Sequence, residues 1–279
     1  MDKQARPEEG CALYAEHALL GARFDADGTV VDYAYERNRQ PGVGNDVAYL
    51  ADISHVTTLL FSGEGSSDFA YAGFGGKELA AGECAFEAVL TGDGTVASVP
   101  LLARTGEREY VSFDLSARSE VLVGWLSFLK SVSKDGYAPY ATVQTEEATG
   151  THAVLALWGN AATATLADYT SAAALPREGE IASCTLDKLP CIIARPPIPG
   201  VTSYMILLSP RMAVVLWRSL LSFAEVNPVG MRGLQESLRA RLGWYAALDG
   251  TQQVRMGRQE LLRDCLIRRT PDYVGARGL

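Results

Sequence analysis

Residues 56–63 read VTTLLFSG and residues 153–159 read AVLALWG, and the similarity of these two stretches indicates a duplicated fold. Each is an apolar, strand-like run that ends in a glycine and is followed by a stretch compatible with a helix. The two glycines, Gly63 and Gly159, lie 96 positions apart. The chain therefore contains two copies of a strand–glycine–helix segment.

Each copy continues with the same series of elements. Gly82 and Gly179 open strand-rich stretches that lie 97 positions apart, so the offset hardly changes. Alternating apolar residues then predict three strands in each copy. The predicted strands are residues 84–90, 95–103 and 110–113 in the first copy, and residues 181–186, 191–194 and 203–208 in the second.

A helix closes each copy. Ser116 precedes the helical stretch 120–131, and Ser209 precedes Pro210 and the stretch 211–223. A serine cap and a proline in the first turn are typical of a helix start, because proline lacks an N–H group that the first turn leaves unpaired. On the predicted helices, Trp125 and Trp217 are expected to pack into the core.

These elements predict an α+β fold, in which duplicated antiparallel sheets are each covered on one side by helices. The polar, turn-rich stretch after the first closing helix is the predicted junction. The first lobe, which includes an N-terminal helix, is predicted at residues 1–133, and the junction at residues 134–150. The second lobe is predicted at residues 151–267. A basic, solvated tail at residues 268–279 includes Arg268 and Arg269.

Composition excludes several classes of protein. The chain has 279 residues and a net charge of -8, which argues against a nucleic-acid binder. Its residues are 48% hydrophobic and 21% charged, a composition that indicates a folded protein. The longest apolar runs are too short to span a membrane, and the first residues contain no apolar secretory signal, so a cytoplasmic location is expected. Five cysteines and three histidines show no metal-ligand spacing, so we expect no metal site.

Four further motifs occur in a fixed order along the chain. Residues 13–23 fit the pattern L-Y-x-x-H-x-x-x-G-A-R, residues 52–56 read DISHV, residues 155–160 read LALWGN and residues 257–262 read GRQELL. In this order and with this duplication, they resemble the motifs of the glycine-cleavage T-protein (aminomethyltransferase) and its folate-binding relatives.

That resemblance implies two pseudo-equivalent α+β lobes around a tetrahydrofolate pocket. It also implies transfer of an aminomethyl or methyl group to tetrahydrofolate, with a small-molecule one-carbon donor and a methyl-carrier or lipoyl protein as partners. The family normally continues into a C-terminal barrel, which we expect to be absent here because the chain ends soon after the last motif.

The family's acidic residues are replaced in this sequence. Ser98 and Val99 align with the two carboxylates of the family's G-G-x-I-D-D motif, and the second of these is implied to orient the reacting amine. Without a carboxylate, electrostatic stabilisation of that step is lost, so the catalytic residue is unknown. Val201 aligns with the glutamate that binds the pterin edge, and unpaired pterin donors would cost about 1–3 kcal/mol.

The remaining pocket residues are implied by the same alignment. Phe86 matches a family tyrosine, and Asp114 stands where the family has an asparagine. Gln235 falls near the family's arginine, with Arg239 or Arg241 as substitutes one turn away. The expected cofactor-binding residues are Val56, Phe86, Asp114, Arg195, Val201, Tyr204, Gln235 and Arg239.

Three interpretations of function remain open. The first is a folate-linked one-carbon transferase. The second is a non-catalytic ligand-binding or assembly component on the same scaffold, since a fold does not by itself determine a function. The third is a site for an aromatic carboxylate built from Phe86, Tyr204 and Arg195. The histidines His17 and His55 are expected to be structural.

Overall fold

A computed structural model describes residues 12–36, 46–250 and 252–279. Cys11 and the first residues, on which the expected lack of a secretory signal rests, lie outside the described residues. The chain forms two compact units. Unit 1 comprises Met1–His55, Thr149–Glu178 and Ala182–Arg241, and unit 2 comprises Val56–Ala148, Gly179–Ile181 and Leu242–Leu279.

Unit 1 is built on a six-stranded sheet with the order β12-β13-β14-β11-β3-β15. The β15–β3 pair is parallel, and the β3–β11, β11–β14 and β14–β13 pairs are antiparallel. A two-stranded ribbon, β1-β2, is separate from this sheet. Numbered along the chain, its elements are α1 (Tyr14–Leu19), β1 (Ala22–Phe24), β2 (Val30–Tyr33), β3 (Ala48–Asp52), β11 (Ala153–Gly159), α4 (Ala162–Ala167), β12 (Glu180–Leu186), β13 (Leu189–Arg195), β14 (Ser203–Leu208), α5 (Pro210–Leu221), β15 (Val226–Pro228) and α6 (Met231–Arg241).

Unit 2 is built on a five-stranded antiparallel sheet with the order β10-β4-β9-β8-β5, accompanied by the ribbon β6-β7. Its elements are β4 (Thr57–Ser62), α2 (Ser66–Gly73), β5 (Cys84–Phe86), β6 (Val89–Leu90), β7 (Val96–Ser98), β8 (Leu101–Gly106), β9 (Glu109–Asp114), α3 (Ser119–Ser131), β10 (Gln144–Glu147) and α7 (Arg258–Arg263).

The strand order confirms the predicted duplication. In unit 2 the sheet runs β4-β9-β8-β5, and in unit 1 it runs β11-β14-β13-β12, so the four repeated strands occupy the same places. The helices that follow the first and last of these strands also correspond, α2 with α4 and α3 with α5. The α+β fold is therefore as the sequence predicts.

The units nevertheless differ from the predicted lobes, because the two copies exchange one strand. β3 precedes β4 in the chain but pairs with β11, with Asp52 opposite Leu155 and Ala48 opposite Gly159. β10 precedes β11 but pairs with β4. Each unit is therefore discontinuous in sequence, and the segment predicted as a junction at residues 134–150 contributes a strand.

The exchanged strands explain the repeated glycines. Gly159 has φ +124°, and a Cβ there would lie 2.3 Å from the carbonyl oxygen of Val47, just before β3. Gly63 has φ +94°, and its Cβ would lie 3.0 Å from the carbonyl oxygen of Thr142, just before β10. Only glycine tolerates this backbone conformation together with such a close approach. Each exchanged strand, β3 or β10, therefore requires a glycine at the end of the strand with which it pairs.

The helices of each unit bury one apolar face against the sheet. In α5, Trp217 is fully buried, as predicted. In α3, the residues against the sheet are Leu122, Leu126 and Leu129, whereas Trp125 is only half-buried and packs at the margin of the core. The prediction of a core role therefore holds fully for the first tryptophan and partly for the second.

The predicted solvated tail is instead anchored within unit 2. The Arg268 side chain is only 10% exposed and forms an ion pair with Asp272. It also donates hydrogen bonds to the carbonyl oxygens of Tyr71, Phe74 and Gly76. A guanidinium group can satisfy several carbonyl groups at once because it carries five N–H donors. The prediction was wrong because a basic dipeptide does not reveal how many backbone acceptors surround it.

We predict that Gly159→Ala destabilises the protein by at least about 2 kcal/mol, because a Cβ would combine a strained φ with a backbone clash. Chemical denaturation followed by circular dichroism measures the free energy of unfolding. Gly92→Ala is the matched control, since nothing lies within 4 Å of its Cβ position. Equal stability of the two variants would contradict the exchanged pairing of β3.

Candidate functional site

In unit 1, a buried carboxylate terminates β3 and organises the residues around it. Asp52 accepts hydrogen bonds from the backbone N–H group of Ser54 at 2.9 Å and from the hydroxyl group of the same serine. His17 Nε2 lies 3.0 Å from the second carboxylate oxygen, and Tyr33 Oη lies 2.8 Å from His17 Nδ1. His17 is fully buried and meets the Trp217 ring edge to face at 4.9 Å, which confirms its predicted structural role.

This network keeps Asp52 ionised. Burial raises the pKa of the Asp52 carboxyl group, but the hydrogen bond and charge of His17 and the two hydrogen bonds from Ser54 outweigh it, so the pKa is lowered overall. The carboxylate therefore holds the N-terminal helix and the start of β11 to the end of β3.

A cavity of about 260 Å³ opens beside this network, within unit 1. His55 and His152 contribute to its lining together with Asp27 and Asp52. His55 is exposed at the rim rather than buried, which differs from the structural role that the sequence suggests. Desolvation at the cavity lowers the pKa of its imidazole, opposed by the nearby carboxylates, so the neutral form of His55 faces the cavity at neutral pH.

In unit 2, the same turn occurs at the end of β9. Asp114 accepts hydrogen bonds from the backbone N–H group of Ser116 at 2.9 Å and from its hydroxyl group at 2.7 Å. Its other carboxylate oxygen accepts a hydrogen bond of 2.6 Å from the Ser98 hydroxyl group on β7. The structure thus brings together two of the predicted site residues, Ser98 and Asp114.

In the second turn, the pKa of the aspartate is shifted in the opposite direction from that of Asp52. Burial raises the pKa of Asp114, and hydrogen bonds from Ser98 and Ser116 with the charge of Arg118 offset it only in part, so the pKa is raised overall. Asp114 lacks the imidazole that Asp52 has. The carboxyl group of Asp114 therefore keeps its proton to a higher pH than the carboxyl group of an ordinary aspartate.

Arg118 fixes the backbone around the second turn. Its guanidinium group is buried and donates hydrogen bonds to the carbonyl oxygens of Val96 and Ala97, the two residues before Ser98, and to those of Gly250 and Gln252. Neither Arg118 nor Ser116 was predicted as part of a site. The spacing D-x-S, which recurs at residues 52–54 and 114–116, is the sequence signal that could have found the turn.

The other predicted residues of unit 2 are inside the fold. Val56, Phe86 and Val99 are 5%, 6% and 3% exposed, and Ser98 is fully buried. The Phe86 ring packs against Trp244 with centroids 5.3 Å apart. Both positions that align with the family carboxylates therefore carry buried, uncharged side chains.

Two of the predicted residues of unit 1, Arg195 and Tyr204, are in contact, and the other three lie elsewhere in the unit. Arg195 at the end of β13 lies over the ring of Tyr204, 5.6 Å from its centroid, and the Tyr204 hydroxyl group is 3.0 Å from Thr163 Oγ1. The remaining residues lie in a turn and on α6: Val201 and Gln235 are half-buried, and Arg239 is exposed. The predicted set is thus divided between the two units.

Two general features of the described ranges bear on function. No cluster of three or more histidine, cysteine, aspartate or glutamate side chains within them is arranged to bind a metal ion. In the same ranges, every helix is too short or too polar to cross a bilayer.

Comparison with known proteins identifies the family. The family model described as the GCVT N-terminal domain matches residues 42–251. The chain belongs to this GCVT family. The resemblance seen in the sequence motifs is therefore confirmed.

One solved structure shows that this fold occurs in a known protein. The crystal structure of glycine cleavage system aminomethyltransferase T from Bartonella henselae superposes with a TM-score of 0.70 at 19% identity, over 96% of this chain and 72% of that chain. At this identity, the match establishes the shared fold. Heterotetrameric sarcosine oxidase from Corynebacterium sp. U-96 matches with a TM-score of 0.42 at 17% identity, over 64% of this chain and 85% of that chain. A search of curated proteins gives no match.

Glu87, in the loop between β5 and β6, is a buried titratable group of unit 2 that sequence reasoning missed. It is 2% exposed, and its Oε2 accepts a hydrogen bond from the Gly76 N–H group at 3.1 Å, whereas Oε1 has no hydrogen-bond partner. Burial raises the pKa of this carboxyl group to about 8, against the opposing effects of the Gly76 hydrogen bond and the charges of Arg268 and Lys77. Glu87 is therefore mostly neutral at pH 7.

We predict that Glu87→Gln flattens the pH dependence of stability. Because the folded state holds the proton up to about pH 8 while the unfolded state releases it near pH 4.5, the free energy of unfolding falls as pH rises through this window, by roughly 2–4 kcal/mol. Denaturation at pH 5.5 and pH 8.5 measures this loss, and the glutamine variant should lose less. Glu78→Gln, at an exposed neighbouring position, should behave as wild type. An unchanged pH profile in Glu87→Gln would contradict the assignment.

Proposed function

We propose that this protein acts on a tetrahydrofolate-linked one-carbon unit, as a transferase-like member of the GCVT family. The observation that carries the proposal is the family match over residues 42–251. The aminomethyltransferase named in the structural match supports the same class of ligand and reaction. A small one-carbon donor and a carrier protein with a lipoyl or methyl group are the partners that belong to this proposal, and the cytoplasm is the proposed location.

The residues of the chain suit one end of a folate better than the other. A folate carries carboxylates at its glutamate end, and the half-buried guanidinium group of Arg195 beside the Tyr204 ring provides a cation for an acidic group. The pterin edge lacks its expected partner, because Val201 is apolar. The residues do not fit the family's pterin contact, so we derive no reaction step through the cofactor.

A second function is favoured by one specific observation. Ser98 and Val99 are 0% and 3% exposed and carry no charge, so they cannot orient an amine electrostatically as a carboxylate would. This supports the alternative of a non-catalytic ligand-binding or assembly component. The buried carboxyl group of Asp114 remains nearby, but its oxygens already accept hydrogen bonds from Ser98 and Ser116.

Titration of the purified protein with tetrahydrofolate by calorimetry tests the proposal. We expect saturable binding, and Arg195→Gln should weaken it by about tenfold or more because a charge-assisted contact is lost. Arg211→Gln, at an exposed position at the start of α5, is the matched control and should bind as wild type. The absence of heat and of a thermal shift at millimolar ligand would rule out folate use.

The same preparation separates the two functions. Incubation with tetrahydrofolate and a carrier protein aminomethylated on its lipoyl thiol should yield methylenetetrahydrofolate, ammonia and the carrier with a free dithiol if the protein is a transferase. Binding without turnover would favour the non-catalytic alternative, and binding of neither ligand would reject both.

A further inference from the structure

Two cysteines face each other on the outer hairpin of the unit 1 sheet. The two-residue turn 187–188 joins β12 to β13, so the last residue of β12 lies opposite the first residue of β13. Counting back along the two strands from this turn places Cys184 opposite Cys191. The Sγ atom of Cys191 lies 3.6 Å from the carbonyl oxygen of Cys184, which agrees with this register. We call these two residues the cysteine pair.

The cysteine pair lies on one face of the sheet, at a separation that suits a disulfide bond. Cys191 is 7% exposed and belongs to the core of unit 1, and Cys184 is half-buried against the same core. Because Pro190 has no N–H group, residues 185 and 190 form a pair without hydrogen bonds, and the cysteines form the hydrogen-bonded pair next to it. Cα atoms in such a pair are about 5.5 Å apart, a usual separation across a disulfide. The two thiols can therefore join with little movement of the backbone.

A groove of about 670 Å³ gives access to the cysteine pair. Both cysteines line it, together with apolar side chains and hydroxyl-bearing ones such as Thr170 and Ser183. Within the described ranges, no lysine, arginine, aspartate or glutamate is among the lining residues. A small anionic disulfide such as oxidised glutathione can therefore approach without repulsion from a lining carboxylate.

Burial changes the ionisation of both thiols. It raises the pKa of Cys184, and burial together with the neighbouring Cys184 raises the pKa of Cys191 to about 11. In strongly oxidising cysteine pairs a low thiol pKa stabilises the reduced form. The cysteine pair has the opposite property, so ionisation does not favour its reduced form. Exchange is slow at neutral pH, because the thiolate is the attacking species.

We propose that Cys184 and Cys191 form a reversible disulfide bond by exchange with a low-molecular-weight disulfide. The Cys184 sulfur, which is the more exposed, attacks one sulfur of oxidised glutathione, whose S–S bond breaks. One glutathione leaves and takes up the proton of Cys184. The Cys191 sulfur then attacks the Cys184 sulfur, and the second glutathione leaves and takes up the proton of Cys191.

This exchange oxidises two protein thiols and reduces one small disulfide to two thiols. The new bond fastens β12, an outer strand of the sheet, to β13. In a reducing compartment such a bond forms only transiently. The proposal is independent of the proposed folate chemistry.

Mass spectrometry of the full chain after incubation with oxidised glutathione at about pH 8 tests the proposal. Trypsin cleaves after Lys188, between the two cysteines, so the disulfide joins two separate peptides. The joined peptides should exceed Cys184 carrying glutathione by at least about tenfold, because the neighbouring thiol attacks intramolecularly. Reduction with dithiothreitol should separate them. Cys265, which is exposed, is the internal control and should keep one glutathione.

Two variants test the order of the steps, and circular dichroism melts verify that they are folded. Cys191→Ser should stop with glutathione on Cys184, and Cys184→Ser should leave the buried Cys191 unmodified. The wild-type result decides the proposal even if a variant does not fold. Glutathione on Cys184 without joined peptides, or an unmodified cysteine pair when Cys265 is modified, would overturn the proposal. A disulfide from either cysteine to a third one would also overturn it.

Discussion

The pairing of β3 with β11 is the interaction on which unit 1 depends. It brings the end of β3 beside Leu155 and Val154, where the backbone N–H group of Ile53 donates a hydrogen bond of 2.8 Å to the Val154 carbonyl oxygen. The Ser54 hydroxyl group accepts a second hydrogen bond from the Val154 N–H group. Asp52 is thereby buried in a defined position, and His17 follows it into the core. The contact between His17 and this carboxylate joins the N-terminal helix to the end of β3.

One kind of turn occurs at two non-equivalent places in the chain, after β3 and after β9, and has a different electrostatic character at each. Both turns use the spacing D-x-S and satisfy the same carboxylate oxygen from the serine that follows. The difference comes from the residue on the other oxygen, which is an imidazole in unit 1 and a hydroxyl group in unit 2. One buried aspartate is therefore held ionised and the other is biased towards its neutral form. The local backbone geometry is the same in both turns, but the pKa of each aspartate depends on a residue from a distant part of the chain.

The sequence predicts the elements and the repeat well because these depend on local patterns. Alternating apolar residues and glycines give the strands and their ends, and Ser209-Pro210 gives the start of α5. The exchange of β3 and β10 could not be predicted, since pairing between distant strands leaves no local pattern. β10, QTEE, is exposed at all four positions and looks like a loop in sequence, although charged side chains suit the edge of a sheet.

The candidate site was predictable to a smaller extent. The alignment identified Ser98 and Asp114, which are in contact, and Arg195 and Tyr204, which are also in contact. It missed Arg118 and Glu87, because their importance comes from burial next to backbone groups that lie far away in the sequence. Arg268 was interpreted as solvated for the same reason.

Nuclear Overhauser effects in a deuterated, selectively labelled sample report directly whether the two copies exchange β3 and β10. We expect cross-strand contacts between the backbone protons of Leu50 and Leu157 and between those of Leu60 and Glu146. Contacts that instead join residues 48–52 to residues 57–62 as a simple hairpin would contradict it.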